Sequence, residues 1–195
     1  DAEKGVETVE DALAGASDII AESISDDADL RKKLRELLMK NGVLRSVAAT
    51  EEDTVYRLYY EFSQSLSRLQ GHQVLAINRG EKEEFLKVDV QISPELIINY
   101  LNKQIIKNQD SPAKEHIEAT IVDSYDRLIK SSVEREIRTA LFDEACEGAI
   151  KLFSDNLKHL LMGAPLKGKT VLGYDPGYRT GCKLAVVDKT GKVID

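Results

Sequence analysis

Val171-Leu-Gly-Tyr-Asp175-Pro-Gly-Tyr-Arg179-Thr-Gly-Cys182-Lys183-Leu-Ala-Val-Val-Asp188 is the stretch whose reading decides the fold of this chain. An apolar run ends on Asp175, Pro176-Gly177 turns the chain, and a second apolar run ends on Asp188. Two such runs around a Gly/Pro turn are the local signature of a β-hairpin. Before Gly163 the period changes, and apolar residues recur at every third or fourth position, as in amphipathic helices. The spacing predicts a mainly α protein. Residues 1–163 form a helical bundle or scaffold with a short β element near 85–90, and residues 164–195 open a second domain with a hairpin.

Within the body, Val9, Leu13, Ala16, Ile20 and Ile24 share one helical face. Ser25 precedes Asp26-Asp27 as an N-cap, and Asn41-Gly42 reads as a left-handed stop for the next helix, which Leu30, Leu34, Leu37 and Leu38 carry. Val43–Thr50 is ambiguous. Val55, Leu58, Tyr59 and Phe62 predict a third amphipathic helix running toward Leu69, with Gly71 breaking it. From His72 the pattern is a short apolar helix, a polar break at Arg79-Gly80, and a strand over Phe85–Val90. Ser93-Pro94 and Ser111-Pro112 both look like helix starts. The row Val133, Ile137, Leu141, Ala145, Ala149, Phe153, Leu157 and Leu161 predicts one long helix or two abutting ones, ended by Gly163 and Pro165.

Composition narrows the function classes. The net charge is −7 over 195 residues, with 42% hydrophobic and 31% charged residues. From Gly163 onward six basic residues (Lys167, Lys169, Arg179, Lys183, Lys189, Lys192) face three acidic ones (Asp175, Asp188, Asp195), so this tail carries +3 and the rest −10. An acidic body argues against a globally basic nucleic-acid binder. No apolar run approaches the ~18 residues of a membrane helix, so no membrane partner is expected. The start Asp1-Ala2-Glu3-Lys4 lacks a Met and a signal-peptide pattern, and the hairpin lies close to Asp195, so the chain reads as an excised piece of a longer cytoplasmic protein. Cys146 and Cys182 have no metal-ligand spacing and read as reduced thiols.

Several motifs have to be weighed. Gly163-Ala-Pro-Leu-Lys-Gly168-Lys169-Thr170 fits the phosphate-loop pattern, but here a helix precedes it and a strand follows, the reverse of the working order. Pro165 also removes an N–H that such a cradle would use. Asp175 is a candidate metal ligand at a strand end, or else it organises the Pro176-Gly177 turn through its own side chain. Asp188 caps the turn toward Gly191. Arg179 and Lys183 could contact phosphate, or stand as solvated charges. His72, Arg79 and Lys82 either present a polar surface to nucleic acid or a partner, or satisfy helix ends. His116 and His159 lack partners at zinc spacing. Tyr56, Tyr59 and Tyr60 read as packing residues rather than base-stacking ones.

Two stretches carry a family resemblance. His72-Gln-Val-Leu-Ala-Ile-Asn-Arg-Gly-Glu-Lys-Glu-Glu-Phe-Leu-Lys-Val88 resembles a segment of the bacterial Tex family of transcription accessory proteins. Pro165–Asp188 resembles the opening of that family's YqgF-like domain, and Ala149–Leu157 is similar too. The likeness runs from about Val9 onward. It implies a long parent with a helical scaffold, an RNase H-like YqgF domain, helix-hairpin-helix modules and an S1 domain that supplies most nucleic-acid binding. Asp175 matches the first acidic position of the RNase H-like fold, although the family's YqgF-like domain is thought to lack a full nuclease ligand set. The expectation is a non-catalytic scaffold piece of a Tex-like protein, with no cofactor. Nucleic acid, bound weakly or not at all by this piece, and the transcription machinery are its expected partners. The alternative is a metal-dependent nuclease or junction resolvase of RNase H-like fold, active only in the full-length protein.

Overall fold

A computed structural model describes residues 8–164, 166–179 and 181–195. It divides into two compact units, 1–150 and 151–195. The elements of the first are α1 (Val9–Asp26), α2 (Ala28–Asn41), β1 (Val43–Ala48), β2 (Glu61–Ser65), α3 (Gly71–Lys82), β3 (Leu86–Gln91), α4 (Pro94–Ile105), α5 (Lys114–Asp123) and most of α6 (Lys130–Leu161). The second contains β4 (Val171–Gly177) and β5 (Gly181–Val187). The mainly α architecture with a terminal hairpin is as the sequence predicts.

The body is richer in strand than its helical spacing suggests. β1 is the central strand of an antiparallel sheet ordered β2-β1-β3, with Leu44 opposite Gln64 on one side and Val90 on the other. The helix expected over 55–69 does not form. Its place is taken by a 3₁₀ turn (Arg57–Tyr59), β2 and a second 3₁₀ turn (Leu66–Arg68). Pairing of β2 with β1 overrides the local spacing, and Val55 and Leu58, expected in the core, are 87% and 85% exposed. The connection is ordered by its tyrosines. Tyr60 Oη receives the Thr54 N–H at 3.0 Å, Tyr56 stacks on Phe85, and the Tyr59 carbonyl accepts from fully buried Ser46 at 2.8 Å.

Helix ends also differ in detail. α1 runs through Ser25, and Asp27 is the N-cap of α2, its carboxylate accepting from the N–H groups of Asp29 and Leu30 at 2.9 Å each. Gly42 is extended (φ −74°) rather than left-handed; glycine is needed there because a Cβ would sit 2.4 Å from the Leu38 carbonyl oxygen. α5 begins at Lys114, two residues after the expected Ser111-Pro112 start, and Ser111 Oγ accepts from the Ala113 N–H. A π-helical turn, Ser124–Ile129, joins α5 to α6, so helical backbone is continuous from Lys114 to Leu161. Of the row of apolar residues on α6, Val133, Ile137 and Ala145 are buried, whereas Phe153 and Leu161 are 68% and 75% exposed. A row taken every fourth residue drifts about 40° around the helix per step, so it cannot keep facing one core.

α3 is unbroken at Arg79-Gly80 and ends in a Schellman turn. Phe85 N–H donates to the Gly80 carbonyl oxygen at 2.9 Å, and Glu84 holds the left-handed position at φ 63° that glycine usually fills. Gly80 is required for another reason: a Cβ there would lie 2.7 Å from Leu86 Cδ1 and 3.0 Å from Tyr56 Cδ1. Gly80→Val is therefore expected to lower stability by about 2 kcal/mol through overpacking. Glu84→Gly should raise it by about 0.5–1 kcal/mol by relieving the left-handed strain. Urea titrations of both variants followed by circular dichroism check the opposite signs.

Candidate functional site

The first half of α6 carries a row of apolar residues and, beside it, polar residues that each reach a different element. Glu134 Oε1 accepts from the Val90 N–H on β3 at 3.1 Å. Glu136 takes Arg31 on one carboxylate oxygen and Arg35 of α2 on the other, the latter at 2.7 Å. Ser132 also receives Arg31 at 3.0 Å, and Arg138 pairs with Glu81 of α3. Arg31 first, and Arg35 after it, hold the Glu136 carboxyl below its ordinary value, against the opposing effect of burial.

Between α3 and α6 lies a groove of about 350 Å³ lined by Asn78, Ser131, Glu134, Arg135, Arg138, Thr139 and Phe142. Arg135 is exposed and forms no ion pair among the described residues. The side chains of Asn78, Ser131 and Thr139 likewise form no hydrogen bond among them. Sequence reasoning passed over this row because polar residues at positions 131, 135, 138 and 139 read as an ordinary solvated face. The signal in the sequence was that they share that face with Phe142, whereas their position across from Asn78 emerges only in the fold.

The residues singled out from sequence fall in separate places. His72 and Arg79 lie two turns apart on α3, about 10 Å along its axis. Arg79 is engaged: its Nε donates to Glu83 at 2.9 Å, while the Tyr56 hydroxyl donates to the other carboxylate oxygen at 2.7 Å. Arg79 first, then Tyr56, hold the Glu83 carboxyl below its ordinary range. His72 and Lys82 are exposed, and Lys82 has no ion pair among the described residues.

In the second unit, Asp175 stands inside the ladder rather than at its end, in register opposite Lys183, with Arg179 exposed in the connecting turn. Pro176 and Gly177, expected to turn the chain, are instead paired in the ladder with Cys182 and Gly181, so Asp175 organises no turn there, and its carboxylate accepts no hydrogen bond among the described residues; Gly181, at φ 79°, supplies left-handed backbone. Asp188 does cap its turn: Oδ1 accepts from Thr190 N–H, Thr190 Oγ1 and Lys192 N–H at 2.6–3.0 Å, and these bonds lower its pKa. Beyond it Val193 makes an isolated antiparallel bridge back to Val187, which the sequence reading did not anticipate. Asp175 faces a lysine, and among the described residues no three His, Cys, Asp or Glu side chains converge. Pro165 of the phosphate-loop match lies outside the described residues; around it α6 ends at Leu161 and β4 begins at Val171.

A mainly α body that carries one long helix, followed along the chain by a two-stranded hairpin with Asp175-Pro176-Gly177 in its first strand, defines a helical protein with a small β unit. The family model described as Tex central region-like matches residues 1–153, and the Tex protein YqgF-like domain model matches residues 169–195. The chain belongs to the Tex family. It is 50% identical to the Bacillus subtilis uncharacterized protein YdcI over 98% of its own length and 27% of that protein. It is 32% identical to the human S1 RNA-binding domain-containing protein 1 over 98% of its length and 21% of that protein. It is also 32% identical to the Neisseria gonorrhoeae transcriptional accessory protein Tex over 94% of its length and 25% of that protein. The chain thus spans about a quarter of the length of the curated relatives it matches. No helix among the described residues is long and apolar enough to cross a membrane.

The Glu136 junction yields a pH prediction. A carboxyl whose folded pKa is depressed contributes stability that is fully present above its unfolded value and is lost as pH falls through the folded value. Glu136→Gln should therefore cost about 0.5–1 kcal/mol at neutral pH, a half-exposed ion pair being screened, and progressively less as pH falls below the ordinary carboxyl range. Urea unfolding of both proteins between pH 7 and pH ~3.5 checks this: the difference is expected to shrink with acid.

Proposed function

We propose that this chain is a non-catalytic scaffold within a nucleic-acid-binding factor that acts in transcription in the cytoplasm. The observation that carries the reading is the use made of the charged groups on α6. Glu134, Glu136 and Arg138 are each committed to a different neighbouring element, which serves positioning rather than turnover. Membership in the Tex family supports the role in transcription, as does the printed name of the gonococcal relative. The RNA-binding name of the human relative supports nucleic acid as the parent's ligand. The transcription machinery is the protein partner this reading implies.

The rival reading, a metal-dependent nuclease or junction resolvase, rests on Asp175 at the first acidic position of an RNase H-like hairpin. The two separate cleanly. Full-length protein incubated with Mg²⁺ or Mn²⁺ and branched DNA or RNA–DNA hybrid is expected to shift the labelled strands on a gel without cutting them. Asp175→Asn should behave as the wild type does. Metal-dependent scission that disappears in Asp175→Asn would overturn the scaffold reading.

A further inference from the structure

We infer that the groove between α3 and α6 is a binding site for single-stranded RNA, holding one nucleotide with its phosphate on Arg135 and Arg138. The inference rests on the nucleic-acid reading above and gives it a location. Three observations carry it. The cavity, about 350 Å³, is on the scale of a small-ligand pocket, commonly ~300–1,000 Å³. Its polar wall offers donors with no partner in the fold: the Arg135 guanidinium, the Asn78 amide, and the Ser131 and Thr139 hydroxyls. Arg138 is held in place by Glu81 and retains further N–H groups, so its guanidinium is pre-positioned at little entropic cost.

The half-buried ring of Phe142 adds what distinguishes a nucleotide from a bare anion. An aromatic beside a basic groove supports base stacking, which is tolerant of sequence. Lys82, four residues after Asn78 and so on the same side of α3, adds a cation with no ion pair. Glu134 lines the groove as well; its Oε1 accepts from the Val90 N–H, which ties this carboxylate toward β3. An acidic peptide could use the arginines but would gain nothing from Phe142, so RNA is the occupant the lining favours.

The test is fluorescence anisotropy of the whole 195-residue chain with a fluorescein-labelled oligouridylate of about 12 nucleotides at about 50 mM salt. The expected dissociation constant is about 10–100 μM, in the range of non-specific binding, weakening further at physiological salt. Arg135→Glu should weaken binding at least about tenfold, and Arg135→Ala should reduce the salt slope by about one. Phe142→Leu should weaken it about fivefold. Lys189→Glu, in the exposed turn after β5, should leave it unchanged. Melting curves of each variant by circular dichroism confirm folding. Absence of binding at low salt, unchanged binding by folded Arg135→Glu, or equal displacement of RNA by polyglutamate would overturn the inference. None of these outcomes bears on strand cleavage, so the scaffold reading stands or falls separately.

Discussion

The contact between α6 and the sheet is the constraint on which the first unit depends. Val133 and Ile137 are almost fully buried within the main hydrophobic cluster, and each would cost about 2–5 kcal/mol if cut back to alanine. Apolar burial alone does not choose a register, since one aliphatic row packs against another in several ways. The polar residues alongside make that choice. Glu134 finds a single N–H on β3, Glu136 sits between two arginines one turn apart on α2, and Arg138 meets Glu81 on α3. Half-exposed pairs contribute little net energy, about 0–1 kcal/mol each. A slip of one residue would carry them away from their partners together. Orientation, more than strength, is what they supply.

The π-helical turn extends the same logic to α1. A wider turn inserts an extra residue into the helical repeat and rotates everything that follows. Here it buries Ser124, Tyr125 and Ile129. Ser124 Oγ donates to the Ala21 carbonyl oxygen at 2.7 Å, and Ala21 itself is fully buried, so the two backbones approach closely. Arg127 then bridges Asp18 on α1 and Asp123 on α5 at the surface. An uninterrupted α-helix from Lys114 onward could not place both Ser124 and Val133 inward as these contacts require. The turn reconciles two packing partners along one helix.

What the sequence disclosed follows from how local each signal is. The hairpin, the strand after Phe85 and the long α6 were legible because alternation, a Gly/Pro turn and a run free of helix breakers are local patterns. β1 and β2 were not. β1 turns only Leu44 and Ser46 fully inward, and Ser46 is polar, so its alternation is masked. In β2 the aromatic spacing of Tyr59 and Phe62 imitates a helix, and only pairing with β1 reveals the strand. The unbroken α3 hides for a similar reason, since Gly80 answers to Leu86 and Tyr56, neither of which its immediate neighbours reveal. Of the candidate site, the isolated charges were visible but their partners were not: Glu136 lies about a hundred residues from Arg31 and Arg35.

A body carrying −10 is at first sight a poor host for an anion, but two ranges of electrostatics have to be separated. The summed field acts at a distance and slows the approach of a polyanion, and salt with a Debye length of about 8 Å removes much of that field. Contact recognition acts within a hydrogen-bond length, where a guanidinium meets a phosphate oxygen directly and is screened far less. The α6 row places Arg135 and Arg138 within one helical turn; Glu136 is satisfied by Arg31 and Arg35, and Glu81 pairs with one edge of Arg138, which leaves its other N–H groups to donate. The net charge therefore limits how tightly and how fast such a groove can bind without deciding whether it binds. Under the proposed reading, such a groove would engage RNA best where a second tethered site holds the strand nearby, because a high local concentration compensates for weak intrinsic contact.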